Sequence, residues 1–296
     1  HLGHEVSEAI ISVPAYFSDG QRNATKQAGQ LAGLKVSRLI NEPTAAALAY
    51  GVIDNSEEQM FMVVDMGGGT LDISILDVFE SVVEVRASAG DNYLGGEDFS
   101  LALRDKFIED NRIKLKKLSG ADLGRLATQI DKMKHTLSRA HEAEFAIELQ
   151  GKNYQFALTR DEFQQTIKPL IKRFVAPIER AMRDSDLSPN ELDNVFLVGG
   201  ATRMPWIRAE VSKLFKLMPM SHIDPDQVVG LGTGVQVALK NRDSAIDDIV
   251  LTDVCPYTLG VSMAVETGRN QHESGHFLPI IERNMTVPIS REERLY

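Results

Sequence analysis

Cysteine is nearly absent. Cys255 is the only one in 296 residues, which excludes an internal disulfide framework and fits a reducing, cytoplasmic setting. With no base in sequence reach it reads as a structural thiol. Tryptophan is equally scarce, and the single Trp206 reads as a packing residue. No apolar run approaches the roughly 18–20 residues of a membrane-spanning helix. His1-Leu2-Gly3-His4-Glu5 has neither the basic start nor the apolar stretch of a secretory leader, so no membrane partner is expected. Basic side chains are in deficit, with 32 Lys and Arg against 42 Asp and Glu and a net charge of −10. That excess argues against nonspecific nucleic-acid binding, which needs a basic face. What remains is an ordinary globular composition, 43% hydrophobic and 25% charged, long enough for about two domains.

Periodicity orders the chain. Ala9–Val13 is a short apolar run stopped by Pro14 and reads as a buried strand. Ser18 or Asp19 caps a helix near 20–32 that Gly33 closes. After a short strand at Leu39-Ile40, Asn41-Glu42-Pro43 opens an alanine-rich helix expected to stop at Gly51. Met60–Val64 is a strand. Ile73–Val78 and Val82–Ala87 alternate, as antiparallel strands with one exposed face do. Leu126, Ile130, Met133 and Leu137 form one helical stripe with Leu123. Residues 160–184 read as a long helix that Pro169 and Pro177 break or kink. Beyond about residue 245 helical periodicity gives way to short β-like segments, so a boundary is expected at 246–253.

Three segments carry candidate chemistry. Asp65-Met66-Gly67-Gly68-Gly69-Thr70 lies between two strands. Its glycines allow close backbone approach, its N–H groups can form a nest for phosphate, and the strand-end aspartate can hold hydrated Mg²⁺. It reads equally as a plain hairpin turn. Asn41–Ala47 is fully explained as a capped helix start, with Asn41 as cap. Its functional reading is a Glu42 carboxylate facing a cleft. Leu197–Pro205 is a strand, a glycine turn and a helix start, suited to an anionic or flat ligand or to nothing at all. Gly230, Gly232 and Gly234 suit close helix packing. His272-Glu273-Ser274-Gly275-His276 matches the zinc-protease pattern, but that chemistry needs a helix. Gly268 and Gly275 argue against one, so a polar loop is expected.

In order and spacing these segments resemble the DnaK-type heat-shock chaperones of the actin-like ATPase superfamily, most nearly the HscC branch. The residues that carry the resemblance are Val13–Phe17, Ile40–Ala47, Asp65–Asp72, Gly95–Phe99, Val198–Pro205 and Asp253–Gly260. The resemblance implies an incomplete actin-like (ribonuclease H-like) α/β fold of two lobes. Residues 1–245 would be a partial nucleotide-binding domain, with 98–190 inserted as the upper part of lobe II. An interdomain linker would follow at 246–253, and the first strands of a β-sandwich peptide-binding domain at 254–296. It further implies ATP or ADP, Mg²⁺ and K⁺ as cofactors. A J-domain co-chaperone, a nucleotide exchange factor and unfolded polypeptide clients would be the partners.

Residue roles follow by position from the same resemblance. Asp65 and Asp72 would hold Mg²⁺ through water. Gly67, Gly68, Gly69 and Thr70 would cradle phosphates, and Glu42 would orient or deprotonate the attacking water. Asp131, Lys134, His135, Ser138, Gly199, Gly200, Ala201, Arg203 and Asp226 would border the adenosine. Pro14 and Arg22 would relay to the linker, Arg38 and Asn41 would meet the co-chaperone, and Ile249, Val250, Leu251 and Asp253 would be the linker itself. The chain departs from the family's pattern at Asp131, usually glutamate, at His135, usually arginine, and at Thr252, usually leucine. A shorter, mostly neutral imidazole implies a weaker adenine clamp. The family's first phosphate turn and catalytic lysine do not precede His1, so the chain is expected to be a piece with impaired turnover. Two other readings stay open: another actin-like ATPase such as a sugar kinase or filament protein, and a non-catalytic module that binds peptide or a co-chaperone.

Overall fold

The computed structural model describes residues 3, 5–50, 58–79, 82–220, 223–241, 249–268 and 271–294. The elements are β1 (Glu8–Val13), α1 (Asp19–Leu31), β2 (Lys35–Asn41), α2 (Glu42–Ala49), β3 (Gln59–Met66), β4 (Leu71–Phe79), β5 (Val82–Asp91), α3 (Gly96–Asp110), α4 (Gly120–Leu137), β6 (Glu142–Leu149) and β7 (Lys152–Thr159). There follow α5 (Arg160–Thr166), α6 (Lys168–Asp184), β8 (Asn194–Val198), α7 (Pro205–Phe215), α8 (Val228–Lys240), β9 (Val250–Val254), β10 (Leu259–Gly268), β11 (Gln271–Ile281) and β12 (Thr286–Val287). The expected stop at Gly51 and the linker's first residues, 246–248, lie outside the described residues. Among the described residues no helix is long and apolar enough to cross a membrane.

β1 and β2 pair in parallel around α1. That helix starts at a full capping box of Ser18 and Gln21 and ends at Leu31, two residues before Gly33, which has φ +85°. The larger sheet runs β12-β9-β5-β4-β3-β8. One face packs on α3, α4, α6 and α7 through Met62, Phe99, Phe107, Phe174 and Trp206. The other packs on α2 and α8 through Ala46, Val63, Leu76, Val85, Phe196 and Val228. Covering both faces buries β4 almost end to end. The one exposed face expected for 73–78 is therefore absent, because α2 and α8 cover the side that alternation alone would leave to water. α2 and α8 approach so closely that a Cβ on Gly232 would sit 1.7 Å from the Ala45 carbonyl oxygen. That bears out the packing reading for Gly232 alone; a Cβ on Gly230 or Gly234 would meet nothing within 4 Å.

The long helix expected over 160–184 is two. α5 ends at the fully buried Ile167, and α6 begins with Pro169 in its first turn, where a proline costs no hydrogen bond. Pro177 is accommodated inside α6. His272–His276 lies on strand β11 rather than in a loop or on a helix, so the two histidines lack the one-turn spacing a zinc protease needs. The expected linker residues also have a place. Val250–Val254 is β9, parallel to β5, and β12 pairs onto β9 from the far side. β10 and β11 form a two-stranded sheet of their own.

Candidate functional site

The turn between β3 and β4 sits where the sheet, α3 and α4 meet. Asp65 faces Asp72 and Met66 faces Leu71 across the two strands, so the turn is four residues, Gly67 to Thr70. Gly67 N–H closes it on the Thr70 carbonyl at 3.2 Å. Gly96 N–H and Glu97 N–H, at the start of α3, donate to the Gly67 and Gly68 carbonyls at 2.9 and 2.8 Å. A Cβ on Gly67, Gly68 or Gly69 would meet nothing within 4 Å, and none of the three has a left-handed φ. Neither packing nor backbone conformation demands glycine there. The three leave open space in front of the turn's backbone, the room a phosphate group needs to reach N–H groups directly.

Behind the turn lie three carboxyl groups. Asp65 and Asp72 are 7% and 2% exposed, and Glu42, the first residue of α2, shares a hydrogen bond with Asp65. Burial, then the Asp72 charge, pushes Glu42 up to about 7. Burial, then the Glu42 charge, holds Asp65 well above the ordinary range. Burial raises Asp72 to about 6 despite the Tyr16 N–H, 2.7 Å from its Oδ1, and the Arg22 charge. Crowded, dehydrated carboxylates of this kind are relieved by a cation. Among the described residues no three His, Cys, Asp or Glu side chains converge to ligate a metal directly. The donor set therefore suits a hydrated ion held through water, such as Mg²⁺ with its own water shell.

In front of the turn a cavity of about 610 Å³ opens. Gly67, Gly68 and Gly96 form one end; Asp131, Lys134, His135 and Ser138 of α4 line one side, and Gly200, Ala201, Arg203 and Asp226 the other. Ten of the residues the resemblance implied thus line one cavity. Gly69, Thr70, Gly199 and the three carboxyl groups lie outside it. Lys134 is held there: its Nζ donates to the Gly96 carbonyl at 3.0 Å and Ser100 Oγ at 2.8 Å, and it pairs with Asp131 at 2.8 Å. That hydrogen bond keeps the Asp131 carboxyl below its usual range. His135 Nε2 stands 3.5 Å from the same carboxylate. Arg203 bridges Asp224 and Asp226. Gly199 has φ +83°, and a Cβ there would lie 2.4 Å from the Met66 carbonyl, so only glycine brings this turn against the end of β3.

Glu97, Arg139, Met204, Arg208 and Pro225 also line the cavity, and sequence reasoning gave them no role. The Gly95–Phe99 motif was legible, but its contact with the glycine turn follows only from the fold. Arg139 lies four residues after His135, the one spacing that could have pointed to it.

The allosteric positions converge elsewhere. Arg22, Arg38, Asn41, Leu251 and Asp253 line a second cavity of about 360 Å³ between β2 and β9. Arg22 braces the loop after β1, donating to the Ala15 and Phe17 carbonyls at 2.9 and 3.1 Å. Pro14 is half-buried at the head of that loop. Asn41 corrects an expectation: it occupies the cap position of α2, but its side chain makes no cap hydrogen bond and instead donates to Asp253. Burial raises the Asp253 carboxyl, and the amide hydrogen bond from Asn41 offsets part of that rise. Ile249 and Leu251 pack into the core while Val250 points outward.

A family model described as Hsp70 protein matches residues 1–295. Among similar curated proteins is a chaperone protein HscA homolog of Burkholderia multivorans, 44% identical over 295 residues, which cover 99% of this chain and 46% of that one. Homologs of the same name from Burkholderia cenocepacia and Burkholderia ambifaria are 44% and 43% identical over the same shares. The chain spans about half the length of these relatives. They carry the name HscA, so the HscC branch rests on the motifs alone.

Proposed function

The chain belongs to the Hsp70 family, with an incomplete actin-like two-lobe α/β fold, and from that premise we propose that it is the nucleotide-handling part of a chaperone that couples ATP hydrolysis to binding and release of unfolded polypeptide. The observation that carries the proposal is a cavity of about 610 Å³ whose phosphate end is an open glycine turn backed by the buried Asp65 and Asp72 and the half-buried Glu42. In this reading Gly67, Gly68, Gly69 and Thr70 cradle the β- and γ-phosphates, with the N–H groups of Gly68, Gly69 and Thr70 as donors, since the Gly67 N–H closes the turn itself. Glu42, with a pKa of about 7, is matched to accept a proton from an attacking water near neutral pH. Asp65 and Asp72 hold Mg²⁺ through water, with K⁺ as a further cation. Bound there, the ion would supply positive charge to offset the negative charge that develops in phosphoryl transfer. Asp131, Lys134, His135, Ser138, Gly199, Gly200, Ala201, Arg203 and Asp226 border the adenosine.

The same proposal assigns residues 1–245 to the nucleotide domain, with 98–190 as the inserted upper part of lobe II, 246–253 to the linker and 254–296 to the start of the peptide-binding domain. A J-domain co-chaperone at Arg38 and Asn41, a nucleotide exchange factor, unfolded clients and a cytoplasmic setting belong to it as well, as does an HscC-like rather than HscA-like branch. Calorimetric titration with Mg-ADP tests it. We expect saturable binding that Gly68→Val abolishes by filling the space before the turn. Binding that survives this substitution, or a sugar-dependent ATPase activity, would refute it.

A further inference from the structure

The segment just past β9 reaches back to the carboxyl cluster through one side chain. Tyr257 Oη donates to the Tyr16 carbonyl at 2.6 Å and accepts from Asn92 Nδ2 at 3.0 Å. Asn92 Nδ2 also donates to the Tyr16 carbonyl at 3.2 Å. The rings of Tyr16 and Tyr257 lie 4.6 Å apart, tilted by 43°. On its other side Tyr16 donates its N–H to Asp72 Oδ1 at 2.7 Å. One residue's backbone thus joins the Tyr257 hydroxyl to a carboxylate at the phosphate end of the site. The segment bearing Tyr257 is anchored as well: Cys255 N–H donates to the Met285 carbonyl at 2.9 Å, and Asn284 N–H to the Cys255 carbonyl at 2.7 Å. An aliphatic side chain at 257 could pack on the Tyr16 ring but could not hold its carbonyl.

We propose that Tyr257 is a positioning residue: its hydroxyl fixes the Tyr16 backbone, and through it Asp72, so that release of the Val254–Thr258 segment and the placement of Asp72 are one coupled event. The coupling lies between two parts of this chain and holds whether or not the cavity takes a nucleotide. It goes beyond the proposed function, which gives Tyr257 and Tyr16 no part.

Cys255 is the reporter. It is the only cysteine, it is buried, and its Sγ donates to the Tyr257 carbonyl at 3.1 Å, so its labelling by a thiol reagent under native conditions measures opening of the segment. Tyr257→Phe, which keeps the ring and loses the hydroxyl, should label about 5- to 10-fold faster, as loss of one part-buried hydrogen bond implies. Tyr16→Phe uses none of the bonds in question and should label at the parent rate. Asp72→Ala should also speed labelling, whereas Asp72→Asn, which keeps an acceptor for the Tyr16 N–H, should not. The Asp72→Ala/Tyr257→Phe double variant should label no faster than the faster single one, the sign of coupled sites. Effects that multiply in the double variant overturn the proposal. So does an equal acceleration by Ile147→Val, a core change far from the segment, because labelling would then report global unfolding. Deuterium exchange at the Tyr16 amide gives an answer without touching Asp72: protection should fall in Tyr257→Phe, and unchanged protection refutes the coupling.

Discussion

Asp72 should destabilise this chain whenever it is ionised and no cation is bound. It is 2% exposed, faces Asp65 across the sheet, and titrates at about 6 instead of 3.8. A carboxyl whose folded pKa lies above its unfolded value holds its proton more firmly in the folded chain. The penalty is therefore full above about pH 6 and fades as pH falls towards 3.8. A displacement of that size costs about 3 kcal/mol when the group is charged. Asp72→Asn removes the charge and keeps an oxygen that can accept from the Tyr16 N–H. Urea unfolding in divalent-free buffer should then show the variant more stable by about 2–3 kcal/mol at pH 7.5, with the gain vanishing near pH 4. Mg²⁺ should narrow the gap by stabilising the parent alone. A gap of the same size at pH 7.5 and pH 4, or a variant no more stable at pH 7.5, would refute the reasoning, because burial of a charge is the only source of the effect.

Other substitutions probe the rest of the molecule. Gly232→Ala drives a Cβ into the Ala45 carbonyl and should lower stability by about 3 kcal/mol; an unchanged thermal midpoint would mean that α2 and α8 are not so closely packed. His135→Arg should tighten ADP binding, since a guanidinium plane stacks on adenine where an imidazole covers less; calorimetry that finds no gain counts against the clamp argument. Asn41→Ala removes the amide that meets the buried Asp253 carboxyl and should speed amide exchange at Leu251 in β9 about 5- to 10-fold, the worth of one hydrogen bond. Equal exchange in the two proteins would show that Asn41 does not hold the strand.

What was legible in the sequence is what is decided within a few residues. The cap of α1 at Ser18 or Asp19, the stripe of α4 from Leu126 to Leu137 and the glycine turn after Asp65 each carry a local signal, and the structure puts the cap at Ser18 and the stripe and turn where that signal places them. The alternation in β4 was equally visible, yet it predicted a wet face, because α2 and α8 come from segments dozens to more than a hundred residues away. Asn41 shows the same limit in one side chain. Its local chemistry favours a cap, but a charge-bearing neighbour 212 residues later competes for the amide and wins. The buried carboxyl offers the stronger acceptor, and the cap position can still be satisfied by its backbone carbonyl alone. The cavity wall is a third case. Lys134, Gly96 and Gly200 each sit beside a readable motif, but only the stacking of α3 and α4 on the sheet sets Lys134 against Gly96 and makes one wall of them. Tyr257 is the extreme. Nothing near it in sequence marks it as more than a strand-flanking aromatic, and its meaning depends on a carbonyl 241 residues earlier. Long-range polar contacts of this kind leave no periodicity behind. For this chain, sequence locates the chemical groups, and the fold decides which of them are held in place and by what.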